Sequence, residues 1–411
     1  MNSRERVLSS LNHREPDGLA VDLGSNPSSG ISAIAHSRLV NKLELKNRKT
    51  KVFDVVQQVA QPEMELVDAL NLDVLDIGRV FNVNDTDWYD FTLYDGTAVQ
   101  YPTWFKPDRH SDGSYTYSKD GKVIAKMPYG ATFFDQTVFP YIDGYPENYK
   151  DLSEAMNVVL WQALVHSPWD HAAEDNFWAV LRERTLKLRK NTDKALMITC
   201  GCNLFEWGTF LRKIDNFLMD ILLEPEEIEK LVEALMEKHL ASLKNVCEAV
   251  GDIVDIIRFG DDLGMDSGPF MAPDLYRKLF KPHHTILNAY VHKHSNMKTF
   301  LHSCGSIYKV IPDLIEAGYD IINPVQTVAK DMEPERLKKE FGKDITFWGG
   351  GCDTRKILNH AKPEEVRDHV RRNIEILAPG GGFIFNPVHN IMPDVPPENV
   401  IAMFDAVNEY R

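Results

Sequence analysis

The chain has 411 residues, of which 43% are hydrophobic and 26% charged, the balance of a globular protein able to bury a substantial core as one large domain or two smaller ones. Its net charge of −15 and the lack of any Lys or Arg stripe argue against nucleic acid as a partner, and no run reaches the roughly 18 apolar residues of a membrane span. Five scattered cysteines form no disulfide framework and the first residues lack a signal peptide's apolar core, so a cytoplasmic location is expected.

In chain order, residues 3–13 read as a short amphipathic helix closed by Pro16-Asp17-Gly18. A strand from Leu19 to Gly24 follows, then a helical stretch over 54–70 and a second apolar run, Val74 to Ile77. Between about 82 and 150, Tyr, Thr and Trp alternate with polar residues, and Asp95-Gly96, Asp112-Gly113 and Asp120-Gly121 punctuate the pattern. Such dipeptides between alternating runs predict hairpins, so this segment reads as a small β-rich insertion.

From about residue 174 helices and strands alternate regularly. A helix to Lys190 leads into the strand Leu196–Cys200, where Cys200 and Cys202 read as strand packing. A long helix starts at Pro225, keeps Ile228, Leu231, Leu235 and Leu243 on one face, and stops at Gly251. The strand Ile253–Phe259 ends in Gly260-Asp261-Asp262. The next helix, near 273–294, carries His283, His284, His292 and His294, expected at the surface. The strand Met297–Leu301 runs into His302-Ser303-Cys304-Gly305. A helix at 308–317 precedes Asp320 to Pro324, and a charged helix to Phe341 precedes the strand that ends in Gly349-Gly350-Gly351-Cys352. A helix from Pro363, the run Gly382 to Asn386, and a last helix from Pro397 complete the chain.

About eight short apolar strands alternating with helices predict a parallel α/β fold. A closed (β/α)₈ TIM barrel over residues 1–411, one domain with its insertion, is favoured over an open sheet because so many strands end in chemically capable residues. These are Asp22, Glu206 in the loop after Cys200, Asp261, Asp262, His302, Cys304, Asn323, Cys352, Asn386 and His389. His302 and Cys304 leave one strand end together, and Cys352 follows another strand two positions around the ring. Three such ligands describe a catalytic zinc with an open fourth position; equally, a His and two Cys at strand ends are ordinary buried core residues.

Several blocks resemble the uroporphyrinogen decarboxylase superfamily: Arg4-Glu-Arg-Val-Leu8, Phe259-Gly-Asp-Asp-Leu-Gly-Met265, Phe300-Leu-His-Ser-Cys-Gly-Ser306, Gly318 through Gln326, Phe347-Trp-Gly-Gly-Gly-Cys-Asp353, and Gly381 through Asn390. That superfamily has a metal-free decarboxylase branch and a branch of corrinoid-dependent methyltransferases that carry zinc. The His-x-Cys with a later Cys is similar to the second branch, which implies metal at His302, Cys304 and Cys352. Some relatives place the third ligand in the last strand's loop; this chain has Val388 and His389 there, so Cys352 is the better candidate and His389 the outside one. The loop Gly24-Ser-Asn-Pro-Ser-Ser-Gly30 has no arginine for the propionates of a tetrapyrrole. Arg355 stands where many relatives carry Gln.

The resemblance implies transfer of a methyl group from a small-molecule donor to the cobalt of a separate corrinoid-binding protein, with a homodimer left open. A methyl ether, a methoxylated aromatic above all, is the expected donor. The alternatives are a methylcobamide:thiol methyltransferase, a metal-free decarboxylase and a non-catalytic binding barrel. Asp262, Asn323 and Glu206 are assigned to catalysis, with Glu206 as a displaceable fourth ligand or a helix cap. Asp22, Asp261, Gln326 and His389 are assigned to substrate binding, with turn formation as the alternative for Asp261 and Asp262. Trp207, Trp348 and Phe385 are expected as aromatic walls, or else as packing.

Overall fold

In the computed structural model, which describes residues 1–46 and 49–411, seven parallel strands follow one another around a curled sheet in sequence order. They are β1 (Val74–Asp76), β2 (Ala195–Gly201), β3 (Ile256–Gly260), β4 (Lys298–His302), β5 (Ile321–Asn323), β6 (Thr346–Trp348) and β7 (Phe383–Ile384). Residues 20–22 close the ring. Val21 forms a parallel bridge with Phe385 beyond β7, and on its other side its carbonyl accepts the Asp73 amide, at 2.8 Å, just before β1. The chain is therefore a (β/α)₈ TIM barrel.

The two-residue period of a strand sorts side chains between the two faces of this ring. Ala20, Val74, Met197, Ile256, Phe300, Ile321 and Trp348 point inward and form a separate buried cluster with Val7 and Leu11 of α1 (Ser3–Leu11), which plugs the N-terminal end of the barrel. Asn2 caps that helix through a reciprocal pair of bonds with Glu5. The residues between them, such as Ile198, Ile257, Leu301 and Phe347, face outward into the core under the helices. The ring of helices includes α2 (Phe205–Arg212), α3 (Pro225–Val250), α4 (Lys281–His294), α5 (Pro363–Leu377) and α6 (Pro397–Asn408). The same period places Asp22, Asp76, Arg258, His302 and Asn323 inward, one layer nearer the C-terminal mouth.

Hairpins form where the turns predict them. Trp88–Thr92 pairs with Ala98–Pro102 around Asp95-Gly96, and Tyr115–Lys119 pairs with Lys122–Met127. Asp120 and Gly121 both have positive φ, 51° and 75°, which gives a two-residue hairpin of the primed type. Tyr101, Phe105 and Ile124 of these hairpins share an apolar cluster with Ile34, Val52 and Val56 before them and Leu160 after them. The stretch predicted as a helix over 54–70 behaves otherwise. Val52–Asp54 and Val59–Ala60 are strands of a small antiparallel sheet with Ile31–Ser32, and only Met64–Ala69 is helical. Val52, Val55, Val56 and Val59 are β-branched and buried, a composition that favours the sheet. No helix among the described residues is long and apolar enough to cross a membrane.

One carboxylate holds the seam of the barrel. Asp73, fully buried, accepts the Val21 amide at 2.9 Å and the Arg6 guanidinium at 3.2 Å, and is also bonded by Arg411. Replacing it with alanine leaves a buried amide and two part-buried guanidinium groups without their acceptor. Asp73→Ala is expected to lower stability by about 3–5 kcal/mol, and Asp73→Asn by less because one acceptor survives. A denaturant series monitored by tryptophan fluorescence checks this, and equal midpoints for the wild type and Asp73→Ala would refute it.

Candidate functional site

The mouth of the barrel opens into a cavity of about 640 Å³ whose lining includes Arg258, Asp262, His302, His389, Glu206 and Trp207. Its polar corner is built by adjacent strands in register. His302, the last residue of β4, stands opposite Asn323, the last residue of β5, and His302 Nδ1 lies 2.6 Å from Asn323 Oδ1. The Asn323 amide group donates to the Trp348 carbonyl at 2.8 Å and to Ser29 Oγ at 3.2 Å, so its oxygen is the atom turned toward the imidazole. The Nδ1 proton is thereby fixed and the Nε2 lone pair is left pointing into the cavity. Burial, with the nearby Arg258 charge, pushes the His302 imidazole down to about 3, so the ring is neutral.

Cys304 brings its Sγ to 3.5 Å from His302 Nε2. Its amide donates to Asp262 Oδ1 at 2.8 Å, which ties the loop after β4 to the end of β3. Gly305 makes the crossing feasible: φ is +82°, and a Cβ there would stand 2.4 Å from the Gly264 backbone. Burial, followed by the Asp262 and Glu206 carboxyls, pushes the Cys304 thiol up. His389 arrives from the loop after β7 with φ +64°, an uncommon value for a side-chain-bearing residue, and its ring stands edge-on to His302 with centroids 5.3 Å apart.

One donor atom from each of His302, Cys304 and His389 lies within 4.8 Å of the others. Two nitrogens and one sulfur at this spacing suit a borderline-soft divalent ion such as zinc with an open position, and Asn323 is the outer partner that holds the ligating tautomer of His302. The expected third ligand, Cys352, is not in this group. Gly349 and Gly350 turn the chain with φ of 111° and 75°, Gly351 packs on the Phe385 ring, and the Cys352 carbonyl accepts the Val388 amide at 2.8 Å. That ladder holds the thiol, fully buried, in the apolar layer outside the barrel, where Asp353 O, 3.8 Å away, is its hydrogen-bond acceptor. His389, assigned to substrate binding with the ligand role as an outside option, takes the third place.

The other expected residues divide in two. Glu206, Asp262 and Trp207 line the cavity. Glu206 sits in the first turn of α2 and accepts Asn203 Nδ2 at 2.5 Å; burial and then the Asp262 and Asp261 charges push its carboxyl well up. Asp261, Asp22, Gln326, Trp348 and Phe385 do not reach the cavity. Asp261 accepts the amides of Leu204, Phe205 and Glu206 at 2.8–3.2 Å, capping α2 from a neighbouring strand, and pairs with His284 Nε2 at 3.1 Å. His284 is therefore buried, bonded also to Tyr276, and not a surface residue. Asp22 accepts Ser25 Oγ at 2.8 Å and Trp348 Nε1 at 3.0 Å inside the barrel, where burial pushes its carboxyl up to about 7. Gln326 accepts the Gly305 amide and donates to Asp266, which also holds Arg355. Phe385 is packed beneath Gly351.

Several polar residues went unremarked in the sequence. Arg258 faces inward from β3, His239 of α3 lines the cavity and bonds the Asn203 carbonyl at 2.8 Å, and Asp76 ends β1 fully enclosed, with its carboxyl pushed up to about 6 by burial. A charged residue alternating with Ile256 and Gly260 in an apolar strand was a legible signal for Arg258. His239 sits mid-helix and carried none.

Comparison with known proteins agrees with this architecture. Residues 198–410, just over half of the chain, match the uroporphyrinogen decarboxylase (URO-D) family model. The chain belongs to this family. A uroporphyrinogen decarboxylase from Methylococcus capsulatus is 43% identical over 97 residues, 24% of this chain and 26% of that protein. A methylcobamide:CoM methyltransferase from Methanosarcina barkeri is 23% identical over 207 residues, 49% of this chain and 54% of that protein. The matches thus span between about a quarter and about half of these relatives' lengths. Among solved structures, a methyltransferase from Methanosarcina mazei superposes over 100% of this chain and 99% of its own with a TM-score of 0.59 at 14% identity, which shows a shared fold.

The geometry sets an expectation for metal uptake. Titrated with zinc, Cys304→Ser and His389→Ala should each lose tight binding, Asn323→Leu should weaken it about 10–100-fold through loss of the tautomer lock, and Cys352→Ala should bind as the wild type does. Zinc loss in Cys352→Ala with retention in His389→Ala would reverse the assignment.

Proposed function

We propose that the protein is a zinc-dependent methyltransferase that moves a methyl group from a methoxylated aromatic to the cobalt of a separate corrinoid protein. The observation that carries this reading is the His302, Cys304 and His389 donor group, with Asn323 holding the ligating tautomer of His302, at one end of a 640 Å³ cavity walled by Trp161, Trp169, Trp207 and Phe210. The flat apolar walls suit an aromatic ring, and the volume is that of a small-molecule site. The five cysteines are all unpaired thiols, consistent with a reducing compartment such as the cytoplasm.

In this reading His302, Cys304 and His389 hold the zinc, which when bound supplies Lewis acidity to an ether oxygen. The residues of the chain do the rest. Trp207 and its aromatic neighbours orient the ring so that the methyl carbon faces the open mouth, where reduced cobalt attacks it. The C–O bond breaks, the methyl group passes to cobalt, and the oxygen leaves with the bond pair. Glu206, whose carboxyl burial and the adjacent Asp262 charge push well up, gives that oxygen its proton. Asp262 holds the Cys304 amide and so keeps the thiol beside His302.

A second reading, methyl transfer between a corrinoid and a thiol, is favoured by the likeness to the methylcobamide:CoM methyltransferase over about half of each chain. The two diverge in substrate. Zinc-loaded protein mixed with a reduced corrinoid and a methoxylated benzene should yield the phenol and the methylated corrinoid, followed by absorbance. Glu206→Gln should lower kcat by about 10²–10⁴-fold with little change in KM. Demethylation of methylcobalamin by a small thiol, with no attack on the ether, would select the second reading, and decarboxylation of a porphyrinogen without metal would overturn both.

A further inference from the structure

We propose that Arg258 anchors a carboxylate on the substrate, so that the cavity selects aromatic acids over their neutral counterparts. The inference deepens the methyl-transfer reading and rests on it for the identity of the ring, while its test is a binding measurement.

An arginine pointing into a barrel from a strand whose neighbours are Ile256, Ile257 and Phe259 is costly unless its donors are met. Arg258 has five N–H donors. Nη2 donates to Ser28 Oγ at 2.8 Å, while Nε is buried and without a partner. Among the described residues no carboxylate oxygen comes within ion-pair distance of the guanidinium, although Glu206, Asp262 and Asp54 are near enough for their charges to act on it. Each of those carboxylates is tied elsewhere. Asp54 accepts the Val56 and Gln57 amides and Gln57 Nε2 at 2.8–3.1 Å, Asp262 accepts the Cys304 amide, and Glu206 accepts Asn203 Nδ2. The guanidinium therefore keeps an unmet, directional demand for an acceptor, and a planar carboxylate is the group its fork geometry matches.

Its position fits the same ligand. Gly260, the register partner of His302, leaves the space over which the side chain folds: a Cβ at 260 would stand 3.0 Å from Arg258 Nη1 and 2.8 Å from Asn203 Nδ2. The guanidinium thus lies one strand away from the His302 imidazole, within the same cavity as Trp169 and Trp207. One aromatic ring that carries an acid and a methoxy group can address both. The chemistry of the site then specifies a methoxylated aromatic carboxylate.

Calorimetric titration of the zinc-loaded protein with a methoxybenzoate and with its primary amide tests this without turnover. The acid should bind about 10–100-fold more tightly than the amide, the difference expected for hydrogen bonds to a charged partner. Arg258→Met should abolish that preference while leaving amide affinity within about threefold, and Arg258→Lys, which keeps the charge but loses the fork, should retain part of it. Equal binding of acid and amide by the wild type, binding of neither, or a parallel loss of both in Arg258→Met would each overturn the proposal. If Arg258→Met fails to fold, the wild-type pair and Arg258→Lys decide. A preserved acid preference with no methyl transfer would overturn the proposed reaction and leave the Arg258 assignment standing.

Discussion

A neutral imidazole offers one lone pair, and which nitrogen carries it depends on what the other nitrogen touches. In this protein that choice is made by a single bond, His302 Nδ1 to Asn323 Oδ1 at 2.6 Å. The bond exists because β4 and β5 are parallel and in register, which sets the two residues side by side at the strand ends. Asn323 is itself held by the Trp348 carbonyl on β6 and by Ser29 in the loop after the closing segment. The lone pair in the cavity thus depends on the closure of the barrel, and closure depends on the buried Asp73 that joins residues 20–22 to β1.

The surroundings of this group show a second constraint, the placement of carboxylates where water is scarce. Asp261 and Asp262 are neighbours in sequence with opposite duties. Asp261 turns outward from the ring, caps α2 and pairs with His284, while Asp262 turns to the cavity and binds the Cys304 amide. The capped helix carries Glu206 in its first turn, so Asp261 sets the position of a residue it does not face. Alternation at a strand end achieves this split with one dipeptide.

That alternation explains what the sequence made legible. The barrel, its insertion, and the convergence of polar strand ends on one mouth follow from periodicity and turn chemistry, which are local. Glu206 reaches the cavity from the first turn of the helix after β2, and His302, Cys304, Asp262 and Asn323, on or directly beside strands, fall where that logic puts them. Cys352 and His389 do not, because each lies several residues past its strand, and the path of a loop is set by glycine dihedrals and by contacts such as Gly351 on Phe385 that no spacing reveals. The aromatic walls divide similarly. Trp348 is on a strand, but its inward period carries it into the barrel interior against Asp22, below the cavity. The reading of 54–70 as helix failed because Val52, Val55, Val56 and Val59 carry helical spacing while their β-branched side chains suit the small sheet that forms.

The charge balance of the mouth links these parts. Its lining supplies the carboxyls of Asp54, Asp262 and Glu206 beside the basic groups of Arg258 and Lys238, and burial pushes the carboxyls of Glu206 and Asp262 up together with the Cys304 thiol. Such a set is poorly matched internally, since the guanidinium contacts none of the carboxylates it is closest to in charge. A divalent cation, if held by His302, Cys304 and His389, would favour the Cys304 thiolate and offset the Asp262 charge beside it. Arg258, which no carboxylate contacts among the described residues, keeps its unmet donor for an incoming anion. A metal at the donor group and a carboxylate at Arg258 would thus address two ends of one ligand within the same cavity.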